Sequence, residues 1–275
     1  MSTTDNYARY DRGLMRSCIY GLAVGDALGV PYEFCGRGTF ECTGMAGGGT
    51  HGQPAGTWSD DTSMALCICS SIKQPGCVDT ADIADRFRRW LEHGAFTCGG
   101  HVFDVGMTCR KAISTGVPAT SYGECGNGSL MRTAPLAMLD CVDFDEVRAV
   151  SAITHAHPVA TWSCVALCDM LRVIRKSDAT AKAELSDRYG YIASRPVEAV
   201  KSDGYCEHTL EAALWCFLNT GSYADCVLAA VNLGGDTDTT AAVAGAIAGV
   251  YYGFEAIPPK WVGQLRGKAV IDQCI

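Results

Sequence analysis

Two short stretches hold most of the oxygen-bearing side chains that could do chemistry. One is Thr57-Trp58-Ser59-Asp60-Asp61-Thr62. The other is Asn232-Leu233-Gly234-Gly235-Asp236-Thr237-Asp238-Thr239-Thr240. Each puts carboxylates and hydroxyls where a loop gives way to a helix, and each runs at once into small apolar residues. Asp, Ser and Thr at a helix start are ordinary caps, each worth about 1 kcal/mol. For either stretch alone, capping accounts for one or two of the polar groups. It does not account for Ser59, Asp60 and Asp61 leading into Met64-Ala65-Leu66. Nor does it account for Asp236, Asp238 and Thr239 beside a run as apolar as residues 241 to 250. Buried carboxylates need a charge partner, and no Lys or Arg lies near either stretch in sequence. A hard divalent cation meets that need, because Mg²⁺ prefers oxygen ligands in octahedral geometry and keeps several waters. The two helix starts, brought together in space, could hold one ion or two. Two ions about 3.5–4 Å apart can activate water and orient a leaving oxygen. The spacing therefore points to metal-assisted hydrolysis without saying what is hydrolysed.

The elements that must position these groups read as helices. Period-2 alternation is hard to find, whereas helical periodicity is common. Residues 8 to 30 form a first helix with Leu14, Cys18, Leu22 and Leu28 on one stripe, stopped by Pro31. Further helices are expected at 60–72, 80–95, 101–115, 128–140, 144–156, 158–175, 179–192, 206–219, 222–232, 237–253 and 259–268, with Asp143, Asp178 and Ser222 as caps or their near neighbours. Between the first two helices lies a long glycine-rich loop, residues 34 to 57, of a length that usually serves function. No linker, charge run or low-complexity segment divides the chain. The expectation is an all-α fold, a compact orthogonal multi-helix bundle, in one domain over residues 1–275, with sheet content near zero.

Composition narrows the partners. The 275 residues are 48% hydrophobic and carry a net charge of -8. No basic footprint for a nucleic-acid backbone is visible. A phosphate-bearing ligand still fits if metal ions or helix N-termini reverse the sign locally. Sixteen cysteines are present without a CxxC pair or a structural-zinc spacing. They read as small buried hydrophobes in a reducing compartment. The polar start carries no signal peptide, and the longest apolar run, residues 241 to 254, is too short to span a bilayer. A cytoplasmic monomer away from membranes is expected.

Five motifs in order resemble one family. Gly25-Asp26-Ala27-Leu28-Gly29 with Glu33, Trp58-Ser59-Asp60-Asp61-Thr62, Gly126-Asn127-Gly128-Ser129 with Met131 and Arg132, Thr154-His155, and Gly234-Gly235-Asp236-Thr237-Asp238-Thr239 together resemble the ADP-ribosylglycohydrolase family, of the dinitrogenase reductase-activating or ADP-ribosylarginine hydrolase type. The matches span roughly residues 13 to 253. The resemblance implies two Mg²⁺ ions, with Mn²⁺ as a substitute, on Ser59, Asp60, Asp61, Asp236, Asp238 and Thr239. Where relatives often have Thr, Ser59 keeps the hydroxyl. Glu33 matches the family's mobile-loop glutamate near the metals. Either Glu33 or a metal-bound Asp, Asp60 or Asp61, would take the proton of the attacking water. Asp104, in Phe103-Asp104-Val105-Gly106, resembles a step beside the ribose; by itself it is a helix-start Asp.

The substrate contacts implied are softer. Gly126 and Gly128 let backbone amides approach an anion, and a helix beginning at Ser129 or Leu130 would suit the pyrophosphate. A lone GxG is most often a turn, and Arg132 is expected to be structural. By residue type His155 is an interior histidine, which the resemblance raises to a ligand contact; His51 and His157 carry no such support. Tyr122 could stack on adenine. The function implied is Mg²⁺-dependent cleavage of ADP-ribose from an ADP-ribosylated protein, with arginine as acceptor and ADP-ribose as product. The alternatives are the same chemistry on ADP-ribosyl-serine, O-acetyl-ADP-ribose or a modified nucleobase; a non-catalytic ADP-ribose-binding or immunity protein; and a metal-dependent phosphatase or nucleotidase. The loop over residues 34 to 57 would decide the acceptor.

Overall fold

Asp11 opens the first helix, its side chain accepting from the amides of Gly13 and Leu14. The computed structural model describes residues 11–73, 78–176 and 180–275. Helix α1 (Arg12–Gly29) is buried along most of its length, and so is α10 (Thr237–Tyr252). The two lie against each other with almost nothing between their backbones. A β-carbon at Gly21 would fall 2.3 Å from the Gly245 carbonyl oxygen, and one at Gly29 would fall 2.3 Å from the Asp238 Cα. Small residues at these positions let the helices approach at backbone distance, and the approach brings Asp26 of α1 near Asp238 of α10.

Around this pair pack α2 (Asp60–Ile72), α8 (Cys206–Asn219) and α9 (Tyr223–Asn232). An outer set comprises α3 (Thr80–His93), α4 (Met107–Thr115), α5 (Phe144–Ser151), α6 (Pro158–Lys176), α7 (Ala181–Ala193), α11 (Pro259–Gln264) and α12 (Lys268–Cys274). Among the described residues there is no strand, only three isolated bridges. The all-α expectation holds. None of these helices is long and apolar enough to cross a membrane. The described cysteines are all free, and most are buried; burial pushes the Cys18 thiol up to about 12.

Helices 60–72 and 206–219 fall where the periodicity puts them. Asp143 caps α5 in a reciprocal capping box with Glu146, and Ser222 caps α9. Asp178, residue 179 and residues 8–10 lie outside the described residues.

Four expectations are corrected, the first being the helix over 144–156, which ends at Ser151. The segment 128–140 is not an α-helix: it turns irregularly and then forms a short 3₁₀ helix, Ala134–Met138. Pro135 explains this, since it supplies no amide and disfavours the α conformation just before it. The helix expected from 101 begins only at Met107. The one expected over 259–268 is two helices, broken at Gly267, whose φ is 62°.

Candidate active site

Asp26 settles what the first cluster does. It sits in α1, wholly buried, and accepts from the Ser59 amide at 2.9 Å, the Thr62 amide at 3.0 Å and the Thr62 hydroxyl at 2.6 Å. Ser59 caps α2 itself, its Oγ accepting from the Asp61 amide. The orphan amides at this helix start are therefore met by Asp26 and Ser59. Asp60 and Asp61 project from the first turn without capping it.

The second cluster meets them there. Thr239 Oγ1 donates to Asp61 Oδ2 at 3.3 Å, and Ser59 Oγ donates to the same oxygen at 2.9 Å. Asp236 precedes α10, where its amide donates to the Ser202 carbonyl at 2.8 Å. Its Oδ2 accepts from Asn127 Nδ2 at 2.8 Å, and that Nδ2 also donates to Thr209. Gly234 and Gly235 take positive φ, and a β-carbon on Gly235 would lie 2.4 Å from the Ser202 carbonyl oxygen. The tight turn they make is what aims Asp236 and Asp238 inward.

Carboxylate oxygens of Asp26, Asp61 and Asp238 lie within 4.8 Å of one another, as do those of Glu33, Asp236 and Asp238. Among the described residues no Lys or Arg pairs with any of these acids. Burial, followed by the charge of Glu33 and Asp61, pushes the Asp238 carboxyl well above the usual range. Burial likewise raises Asp60, with Asp104 next, and Asp61, with Asp26 next. Asp236 is raised by burial against the opposing hydrogen bond from Asn127. Asp26 is pushed up to about 7 by burial, and its hydrogen bonds hold it back from more. Three buried oxygens, Asp61 Oδ1, Asp236 Oδ1 and Asp238 Oδ2, have no hydrogen-bond partner. Crowded, buried carboxylates with unpartnered oxygens fit a hard divalent cation. The donors are oxygens throughout, which favours Mg²⁺ or Mn²⁺ over softer metals.

A pocket of about 270 Å³ opens beside this centre, lined by Glu33, Asp60, Asp104, Asn127, His155 and Thr239, among others. Glu33 is buried and pushed up to about 10, by burial first and then by the charge of Asp104. Its Oε2 meets His51 Nε2, which also lies 3.9 Å from Asp104 Oδ2. Asp104 is not a helix-start residue. It sits in the irregular stretch before α4 with φ 50°, a conformation unusual for a residue with a β-carbon. His155 shares a 2.8 Å hydrogen bond with Thr154 through Nδ1, and burial pushes its pKa down to about 3, so the ring is neutral.

The glycine loop departs from expectation. Gly126 and Gly128 do line the pocket, but no helix begins at Ser129 or Leu130, so no helix dipole faces an anion there. The Asn127 amide is already bonded to the Gly204 carbonyl. Ser129 is turned into the core, its Oγ accepting from Ser151 and Cys164. Tyr122 is 65% exposed and lies outside the pocket, near the rings of His157 and Tyr205. Arg132 is structural, as its type suggested: fully buried, it donates to the Gly128 carbonyl and Thr154 and lies over the Phe87 ring.

Two residues of this site have no assigned role in the sequence reading. Asp26 had a visible cue, a carboxylate in the middle of an otherwise apolar helix. His51 had none, since a lone histidine in a glycine-rich loop looks like any other.

With this geometry in view, likeness to known proteins becomes informative. Residues 5–275 match the family described as ADP-ribosylglycohydrolase. The chain belongs to the ADP-ribosylglycohydrolase family. It is 33% identical over 272 residues to the ADP-ribosylarginine hydrolase Tri1 of Serratia proteamaculans (strain 568), covering 91% of this chain and 74% of that one. It is 33% identical over 279 residues to the ADP-ribosyl-[dinitrogen reductase] glycohydrolase of Rhodospirillum rubrum, covering 94% and 92%. A solved structure described as an ADP-ribosylglycohydrolase-related protein complex superposes with a TM-score of 0.79 at 34% identity, covering 95% of each chain. Membership makes the chain an enzyme of the ADP-ribosyl glycohydrolase type, and the acidic centre between α1, α2 and α10 is suited to the metal such an enzyme uses.

Proposed function

We propose that the chain hydrolyses the bond between the ribose C1″ of ADP-ribose and an arginine side chain of a modified protein. In this reading Ser59, Asp60, Asp61, Asp236, Asp238 and Thr239 hold two Mg²⁺ ions, with Mn²⁺ as a substitute, and the enzyme acts as a one-domain monomer in the cytoplasm. The observation that carries it is the meeting of two distant acidic clusters with three buried carboxylate oxygens unpartnered. The arginine acceptor is supported by the likeness to an ADP-ribosylarginine hydrolase.

When bound, the divalent ions supply positive charge that polarises water and orients the ribose hydroxyls. The chain's own groups divide the remaining work. Glu33 faces the pocket, and the positive charge of the bound ions would draw its raised carboxyl back to the ionised form, in which it takes the proton of the attacking water. His51 holds Glu33 through Nε2, fixing which way the carboxylate turns. Asp60 and Asp104 line the same pocket and place negative charge where an oxocarbenium-like state builds positive charge. Gly126 and Gly128 line the pocket for the ADP portion, and Gly128 must be glycine because a β-carbon there would lie 2.6 Å from Cys109 Sγ and 3.1 Å from the His155 ring. Asn127 fixes Asp236, and neutral His155 offers the pocket the ring nitrogen that Thr154 does not use. Tyr122, exposed outside the pocket beside the Tyr205 ring, offers an aromatic face for the adenine.

The test is a panel of ADP-ribosylated arginine, serine and DNA-base substrates with O-acetyl-ADP-ribose, incubated with Mg²⁺ and assayed for free ADP-ribose. Arginyl substrate is expected to be turned over fastest. EDTA is expected to stop release, and Mg²⁺ or Mn²⁺ to restore it. Restoration by zinc alone, or release of phosphate in place of ADP-ribose, would count against the reading. Glu33→Gln is expected to lower kcat by about a hundredfold while the inhibition constant of ADP-ribose moves little. A pure affinity loss would remove Glu33 from proton transfer.

A further inference from the structure

Phe34 carries two costs. Its side chain is 68% exposed, and its backbone sits at φ 65°, a left-handed conformation that a β-carbon disfavours. Strain of this kind persists only where the surroundings impose it, and it gathers at ligand clamps. Here the surroundings are explicit. The Phe34 amide donates to the Gly235 carbonyl at 2.7 Å, and the Gly235 amide returns a bond to the Cys35 carbonyl at 2.8 Å. Arg37 pins the next turn, with Nε donating to the Leu233 carbonyl at 2.7 Å and Nη2 to the Val200 carbonyl at 2.6 Å. The ring is thus presented on a stretch fastened to the turn that carries Asp236.

Phe34 lines the same pocket as Glu33 and Asp104, and so does Met107, which is 88% exposed at the start of α4. The His51 ring lies 6.3 Å from the Phe34 ring and 5.4 Å from the Phe103 ring. Two exposed apolar side chains, Phe34 and Met107, therefore stand on the same pocket as Asp104, a carboxylate that no Lys or Arg neutralises among the described residues. A planar cation suits that combination: an aromatic face attracts a guanidinium, and carboxylates supply the opposite charge. A neutral hydroxyl acceptor would gain nothing from either.

We propose that Phe34 selects the acceptor, its ring stacking on the guanidinium of an ADP-ribosylated arginine while Met107 packs against the aliphatic stem and Asp104 faces the charge. This rests on the arginyl reading above. The experiment compares kcat/KM on an ADP-ribosyl-arginine peptide and on O-acetyl-ADP-ribose for wild type, Phe34→Gly, Phe34→Leu and Phe34→Trp. It adds inhibition of arginyl turnover by agmatine, a free guanidinium probe. In Phe34→Gly and Phe34→Leu the arginyl-over-acetyl ratio is expected to fall about tenfold and agmatine inhibition to weaken by a similar factor. Phe34→Trp is expected to keep both within about twofold. Glycine accepts this φ without strain, so the thermal midpoint of Phe34→Gly is expected not to fall, which separates lost selection from lost fold. An unaltered ratio, an equal loss on both substrates, or a Leu variant as selective as the Trp variant overturns the stacking role while arginyl hydrolysis stands. A wild-type chain that frees no ADP-ribose from the arginyl peptide overturns both.

Discussion

Asp238→Asn is expected to lower ADP-ribose release about a thousandfold, the scale of several kcal/mol of metal-supplied stabilisation, while the chain stays folded. The geometry separates the two outcomes. Asp238 is fully buried at the start of α10, and its Oδ1 accepts from the Thr239 amide at 2.9 Å. An asparagine keeps that acceptor and nearly the same volume, so the helix start survives. The other oxygen, Oδ2, has no partner among the protein atoms. It belongs to the one carboxylate that appears in both triads, with Asp26 and Asp61 and with Glu33 and Asp236. Removing its charge takes an anion from both triads at once. In EDTA-treated protein at neutral pH the thermal midpoint is expected not to fall, because the substitution relieves crowding among buried like charges. Mg²⁺ should stabilise the wild type by about 2.7 kcal/mol at one hundred times its dissociation constant, and that gain should shrink in the variant. Thermal melts with and without Mg²⁺, run beside the release assay, read all three quantities. Near-normal turnover would sink the assignment, and a variant unfolded without metal would recast Asp238 as structural.

What could be seen in advance followed physical lines. Helices such as α2 and α8 were legible because a buried stripe and a capped start leave period and punctuation in the residues themselves. The segment after Gly128 reads as a helix because its apolar run matches one locally, while Pro135 and the buried Arg132 commit it to turns. The acids of the two clusters stood out because their number exceeds what capping needs. Asp26 did not stand out as a site residue, because its role arises only when α1 reaches the start of α2, across 33 residues between Asp26 and Ser59. His51 and Phe34 were out of reach for a related reason. Their roles depend on the path of a long irregular loop, fixed at Phe34 by backbone bonds to Gly235 and the anchoring of Arg37, and at His51 by Thr50, which donates to the Pro31 and Glu33 carbonyls. The motif resemblance supplied the substrate class, and no count of charges or periods would have done so.

Gly25→Ala is expected to cost at least about 3 kcal/mol, although it adds one methyl group. A β-carbon there would lie 2.0 Å from the Ala241 carbonyl oxygen and 2.6 Å from its carbon. Both are backbone atoms of a buried helix, so no side chain can swing aside. The clash can be relieved only by moving α1 and α10 apart, which also opens the contacts at Gly21 and Gly29 on the same face. For a chain of this size that loss corresponds to a thermal midpoint lower by about 6–12 °C. The site should fail with the packing. Asp26 follows Gly25 directly, and Gly29 touches the backbone of Asp238, so a wider helix pair pulls two of the clustered carboxylates apart. Mg²⁺ should then stabilise the folded fraction of the variant less than it stabilises the wild type. Gly190→Ala provides the contrast: Gly190 lies within α7 with nothing within 4 Å of an added β-carbon, and alanine there is expected to add roughly 0.5–1 kcal/mol. If melts of the two variants shift by similar amounts, the backbone-to-backbone contact of α1 and α10 is not what holds the metal-binding acids together.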